Sequence, residues 1–457
     1  MRRRSKWIVS AVSLVLVAAT GCSSSSESDD SGGNSAAESS TTESSTAEAE
    51  PSYVAEVQVS IDKAMTDNVI PDAVVTIESP TQGNWTGTFG TQVIGEDRPI
   101  TADEYFRFGS NTKTMTSTVI LQLAQEGKLA LDDPIAKYVE NVPNGDRITI
   151  AQLSEMRSGL YSYSFDPAFN ATLDNDPQKA WTPDELLAIA YSHPVNFEPG
   201  AEFEYSNTNI VLLGLVIEKL TDMTAAEALQ QRIFEPLGMS HTSLPVATDS
   251  SIPDPHPQGY SFGTNVSTID TFELPEPQRT EALEGTLKPN DETDMNPSWT
   301  WTAGGAISTV GDMVTYTKAL VDGGLLNDDM QKTRLDSIQP IEPQAPETAG
   351  YGLGIARFGP ALLGHDGQIP GFMTVAVNDP NSDLTIVIAT NLATVPTGEG
   401  SALVLLKAII PTFYGEGAVT GGNPASVPER TDDQTPSSST EAPSTSPSTP
   451  AVPTPTP

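Results

Sequence analysis

Strand-like segments stand at both ends of the foldable part of this 457-residue chain, with helical pattern between them. Near the start, "DAVVTIES" and "NWTGTFGTQVI" are rich in β-branched residues and are joined by a Pro/Gly turn, the signature of paired strands. Strands return only late, in "YGLGIARF", "FMTVAVND" and "LTIVIATN". Between the two groups, Thr112–Glu126, "ITIAQLSEM", "TPDELLAIAYS", "NIVLLGLVIEKL" and "TAAEALQQRIF" carry apolar residues at helical spacing. A sheet must gather its strands to bury an apolar face, so both chain ends are expected to build one sheet, with the helical region inserted between them. A helix over Tyr53–Asp67, with Val54, Val57, Ile61 and Met65 on one face, precedes the first strand. Another, from about Gly400 to Ile410, follows the last.

The flanks cannot join that core. Residues 1–21 open with the basic "MRRRSKW", continue with the apolar "IVSAVSLVLVAAT" and end in small residues before Cys22, the layout of a signal peptide. Cys22 is the only cysteine, so no internal disulfide can form, and its place after the signal marks it as the lipid-modified first residue of a bacterial lipoprotein. The expected location is the outer face of the cytoplasmic membrane. Residues 22–52 are Ser-rich and acidic and read as a tether; residues 416–457 are rich in Pro, Ser and Thr and read as an extended tail. The folded domain is assigned to residues 53–415. A net charge of -37, more negative still once Arg2, Arg3, Arg4 and Lys6 leave, repels nucleic acid and anionic headgroups.

Within that domain, "FRFGSNTKTMTS" ends a short strand in a turn and opens a helix with Ser110 at its entry and Lys113 three residues on. That spacing puts an amine beside a hydroxyl on one helix face, and serine becomes a nucleophile only when a base takes its proton. The pattern alone is weak. "SIDK", Ser60–Lys63, repeats it inside an amphipathic helix where Lys63 belongs to a solvated face, and Ser110 itself would serve as an ordinary N-cap. Two further stretches raise the odds: "EYSNTN", in which Tyr205 and Asn207 can face one cleft, and "GHDGQIPG", with His365, Asp366 and Gly367.

Taken in order, Ser110-x-x-Lys113, Tyr205-x-Asn207 and His365-x-Gly367 resemble the active-site set of the serine beta-lactamase and penicillin-binding superfamily. The branch resembled is that of class C beta-lactamases and D-alanyl-D-alanine carboxypeptidases, and "ITIAQLSEMRSGL", "IFEPLGMSHTSL", "AGGAISTVGDM" and "YGLGI" agree with it. The resemblance implies an α/β fold of α+β type, with an antiparallel sheet flanked by helices. It implies a serine hydrolase forming an acyl-enzyme on Ser110, with Lys113 and Tyr205 handling protons and either one as the base. Asn207 would hold the substrate's amide, His365 would bond near its carboxylate and Tyr205, and the N–H groups of Ser110 and Gln368, beside Gly367, would form an oxyanion hole. The implied substrates are peptidoglycan stem peptides or other small acyl groups, with beta-lactams as covalent ligands; same-fold esterases, amidases and beta-lactamases are alternatives, as is a non-catalytic envelope binding protein.

Departures from the family pattern bear on specificity. Met156 stands where relatives typically carry a histidine. Ala356 occupies the place of the carboxylate-binding arginine of carboxypeptidases, with Arg357 one step later, so Arg357 reaches the cleft only if a bulge restores its direction. Trp299 and Trp301 are expected to wall the cleft, and the polar stretch from Pro245 to Pro297 could rim it or form a mobile loop. Strand neighbours face opposite ways, so His365 is not expected to pair with Asp366 in a Ser-His-Asp triad. His193, His241 and His256 lack ligand spacing, so no metal or other cofactor is expected.

Overall fold

The structure, a computed structural model, describes residues 50–415. The expected signal peptide, Cys22, the tail and nearly all of the tether lie outside the described residues. Eight strands form one antiparallel sheet: β1 (Asp72–Glu78), β2 (Trp85–Gly90), β3 (Gln339–Pro340), β4 (Ala349–Tyr351), β5 (Ala356–Phe358), β6 (Leu362–Ile369), β7 (Phe372–Asp379) and β8 (Leu384–Thr390). Their spatial order is β2-β1-β8-β7-β6-β5-β4-β3. The two chain ends thus meet inside one sheet, where β1 and β8 pair from Ala73 opposite Thr390 to Glu78 opposite Thr385. Past the end of that ladder, the Asp72 N–H donates to Asn391 Oδ1 (3.1 Å) and the Asn391 N–H returns to Asp72 Oδ1 (3.2 Å), across 319 positions of sequence.

Five helices flank the sheet or position the site: α1 (Val54–Asp67), α2 (Asn111–Gln125), α3 (Asn207–Thr221), α4 (Val310–Asp322) and α5 (Ser401–Tyr414). The face of α1 buries Val54, Val57, Ile61 and Met65, and the helix packs beside α5. Two consecutive residues of β7 show that both sheet faces are covered. Thr374 Oγ1 accepts from Asn111 Nδ2 of α2 at 2.9 Å, whereas Met373 lies against Gly400 at the start of α5. Side chains alternate along a strand, so α2 and α5 lie on opposite faces, and β7 and β8 are accordingly buried throughout.

Helix α2 is buried on every side from Asn111 to Leu123, although much of it is polar. Its threonine hydroxyls are satisfied inside the protein: Thr112 donates to Gly109 O, Thr114 to Asn111 O, Thr116 to Thr302 O and Thr118 to Thr114 O, each at 2.7 Å. A central helix can therefore present Ser110 and Lys113 without losing its anchorage. Two late segments differ from expectation. "YGLGIARF" forms two strands, β4 and β5, because Gly354 turns the chain at φ +64 where a Cβ would lie 2.1 Å from Ser117. The "HDG" segment, expected near the late strands, is itself part of an eight-residue strand, β6. Among the described residues, no helix is long and apolar enough to cross a membrane.

Candidate active site

Ser110 sits at the entry of α2 with φ -64 and ψ -7 and makes no capping hydrogen bond. Its Oγ lies instead 2.8 Å from Lys113 Nζ, which also donates to Ala303 O at 2.6 Å. Lys113 is fully buried, and desolvation drives its amine well below the ordinary lysine range, a shift the nearby Asp366 carboxyl partly opposes. That shift favours the form of the amine whose lone pair can accept the Ser110 proton. The competing Lys63 is exposed and paired with Asp67, one helical turn away.

Tyr205 and Asn207, at the entry to α3, face the same cavity as Ser110 and Gln368. The Tyr205 ring lies 4.8 Å from Lys113 Nζ, and the residue is 8 % exposed. Its hydroxyl is close enough to Ser110 for that serine to favour the ionised form, yet it makes no hydrogen bond of acceptable geometry. Burial dominates and raises its pKa well above the tyrosine range, so Tyr205 is a phenol and not a phenolate. The Asn207 N–H donates to Ser162 Oγ and its Nδ2 to Ser164 Oγ, both at 3.1 Å, which holds the side chain at the cavity wall.

Strand β6 brings the third group. A Cβ on Gly367 would sit 2.0 Å from Phe108 O, and one on Gly109, at φ +51, would sit 2.9 Å from Gln368 N. Only glycine at both positions lets β6 close on the turn that precedes Ser110, and this approach brings the Ser110 and Gln368 backbones together. The N–H groups of Asn111, Thr112 and Lys113 turn back onto Phe108, Gly109 and Ser110, which leaves the Ser110 N–H outside that ladder. Pro370 and Gly371 form the two-residue turn to β7, so Ile369 and Phe372 close the hairpin. By alternation, the Gln368 N–H points away from β7.

His365 does not contact Ser110. Its Nδ1 lies 2.5 Å from the Asp366 carbonyl, which can only accept, so Nδ1 carries the proton and Nε2 receives the Tyr351 hydroxyl at 3.0 Å. Burial first, and then the charge of Lys113, push the imidazole down to about 3. The Asp366 carboxylate comes nearer than strand alternation suggests, with Oδ1 3.5 Å from His365 Nδ1, but makes no hydrogen bond; burial pushes it up to about 7. The geometry is a serine–lysine pair with a histidine behind it, not a triad. Tyr351, whose ring centroid is 5.6 Å from that of His365 and 6.2 Å from that of Tyr205, was legible in "YGLGI" only as family texture.

Two sequence assignments are corrected. Arg357 does not reach the cavity: its guanidinium donates to Gly359 O and Pro346 O at 2.6 Å each, and β5 pairs residue for residue with both neighbours, so no bulge turns it inward. Trp301 does not line the cavity either. Its φ of +38 in a tight turn sends the ring against Gly214 of α3, and Trp299 supplies the wall. The stretch from Pro245 to Pro297 rims the site through Ser261–Asn265, Ile269, Phe272 and Glu292. Among the described residues, no group of His, Cys, Asp or Glu is placed to hold a metal.

The sequence profile of the family described as Beta-lactamase matches residues 58–408. The chain belongs to the beta-lactamase family. Its sheet and helices match solved members of that fold, a superfamily of serine hydrolases that includes amidases and penicillin-binding proteins. This beta-lactamase family chain is similar to a D-stereospecific amidohydrolase from Streptomyces sp. (32% identity, TM-score 0.66), covering 79% of this chain and 98% of that one. It is also similar to D-amino acid amidase from Ochrobactrum anthropi SV3 (25% identity, TM-score 0.64), covering 78% and 98% respectively. Protein flp of Staphylococcus aureus (strain N315) is 35% identical over 171 residues, 36% of this chain; the matched segment spans about a third (32%) of flp.

Proposed function

We propose that the protein is an exported serine amidohydrolase that cleaves amides of D-configured acyl groups through an acyl-enzyme on Ser110. Ser110 Oγ attacks the amide carbon while Lys113 Nζ takes its proton, and the N–H groups of Ser110 and Gln368 hold the oxyanion. Tyr205, kept protonated by burial, is suited to donate to the leaving nitrogen as the C–N bond breaks, whereas Lys113, whose burial disfavours its charged form, is suited to be the base. Water then enters by the reverse route and releases the acid. His365 and Tyr351 pack behind Tyr205, each with its ring centroid 6.2 Å from that of the tyrosine.

One observation carries the choice of amide: among the described residues, no lysine or arginine lines the cavity, so a substrate's terminal carboxylate has no cation to meet. The similarity to a D-stereospecific amidohydrolase and a D-amino acid amidase supports the same choice. D-alanyl-D-alanine carboxypeptidase activity on stem peptides is the second reading, favoured by His365 in the third motif. A labelled penicillin or an activated ester should add its acyl mass to the peptide holding Ser110, and Ser110→Ala should abolish the adduct; an adduct that survives overturns the mechanism. Faster release of ammonia from D- than L-phenylalanine amide is expected, with little release of D-Ala from a diacyl-Lys-D-Ala-D-Ala peptide. The reverse order would favour the carboxypeptidase. For the lipid anchor, Cys22→Ser should move the protein from the membrane to the soluble fraction.

A further inference from the structure

The cavity that holds Ser110 is built for more than an acyl carbon. Away from the nucleophile, its wall is aromatic: Phe165, Phe169, Phe262, Phe272 and Trp299 line it, with Phe169 and Trp299 edge to face at 5.8 Å. Against this apolar surface stands a single charged side chain among the described residues, Glu292. Its N–H donates to Gly259 O at 2.8 Å, and its Cβ lies 3.6 Å from where a Cβ would stand on Gly371, in the turn of the β6–β7 hairpin. Glu292 thus stands beside the turn that follows the strand carrying Gln368. No lysine, arginine or histidine pairs with it among the described residues. Its nearest charges are Asp174 and Asp291, which add to the desolvation that raises its pKa. A half-buried carboxylate facing a cavity, flanked by like charges and without a counter-ion, is a place where a cation gains and an anion loses. The unpartnered hydroxyl of Tyr205, 8 % exposed, suits the same cavity to a polar reacting group.

We infer that Glu292 sets the substrate class: it receives the free α-ammonium of an amino-acid amide or an N-terminal residue whose aromatic or large apolar side chain fills the Phe/Trp wall. This rests on the amide hydrolysis proposed above. Ser110 supplies the chemistry, and Glu292 discriminates between acyl donors that carry a free amine and those whose amine is capped. Capping removes the charge and leaves Glu292 desolvated with no partner, the arrangement that gives a buried polar site its largest discrimination.

The test uses the full chain and two probes with the same leaving group, D-phenylalanine amide and N-acetyl-D-phenylalanine amide. Wild-type kcat/KM should favour the free amine at least tenfold, about 1.4 kcal/mol, and Glu292→Gln should shrink that preference to within threefold, chiefly by raising KM for the free amine. Because the readout is a ratio within one protein, a loss of folded protein cancels, and the wild-type comparison stands even if the variant fails to fold. Equal rates on the two amides in wild type, or a preference that survives Glu292→Gln, overturns the role of Glu292 and leaves amide hydrolysis standing. If neither amide is hydrolysed while p-nitrophenyl acetate still acylates Ser110, the amide assignment falls and this inference falls with it.

Discussion

His365 and Asp366 are adjacent, buried and shifted in opposite senses, and this couples the site to stability. An imidazole kept neutral down to about 3 in the fold, against 6.5 when free, makes acid favour unfolding, so its contribution rises with pH across that window. A carboxyl kept protonated up to about 7, against 3.8 when free, does the reverse: its contribution is complete below 3.8 and falls as pH rises toward 7. The two slopes offset each other in the wild type. Asp366→Asn should expose the histidine slope, with a melting temperature that climbs with pH between 3 and 6.5 more steeply than wild type, and His365→Gln should expose the opposite slope. Thermal melts at several pH values decide it, and parallel curves for all three proteins would refute it. Gly367→Ala tests the neighbouring position. Its methyl would meet the Phe108 carbonyl at 2.0 Å, a backbone atom that cannot swing away. A destabilisation of about 1–3 kcal/mol is expected, with kcat/KM falling about 100-fold as the Gln368 N–H is displaced.

The elements show where sequence pattern sufficed and where it failed. The buried face of helix α1 was legible because one face meets the core and the other meets water, which writes a period into the sequence. Helix α2 was forecast over Thr112–Glu126 from its apolar spacing, yet it is buried all round, and its threonines are explained only by the carbonyls they reach. Thr116→Val keeps the shape and removes the bond to Thr302 O, beside the Ala303 carbonyl that holds Lys113. Chemical denaturation should show a loss of about 1–2 kcal/mol, and kcat should fall as the Lys113 contact loosens. Trp301 and Glu292 were beyond sequence reasoning because one opens a three-residue 3-10 helix and the other follows a two-residue strand, segments too short for the two-residue or 3.6-residue rule to say which way a side chain points. Arg357 was decidable in principle, because strand alternation holds wherever pairing is unbroken, and it is unbroken along β5.

At the scale of the molecule, the order of strand and helix signals forecast a sheet shared by both ends. The neighbour relation of β1 and β8 was not written in either strand alone, since each is a short apolar run that would suit any central position. A chain limited to residues 50–415 should melt within about 2 °C of the full chain and keep its kcat/KM, because α5 and α1 close the core on themselves; a markedly lower melting temperature would show that the flanks contribute. The pairing of β1 with β8 also has a temporal side. During synthesis β1 emerges early, yet its inner edge has no partner until β8, Leu384–Thr390, has been made. Contacts so distant in sequence form slowly and late. The sheet therefore closes only after most of the chain has been made, and until then the inner edge of β1 stays open to pairing with other strands.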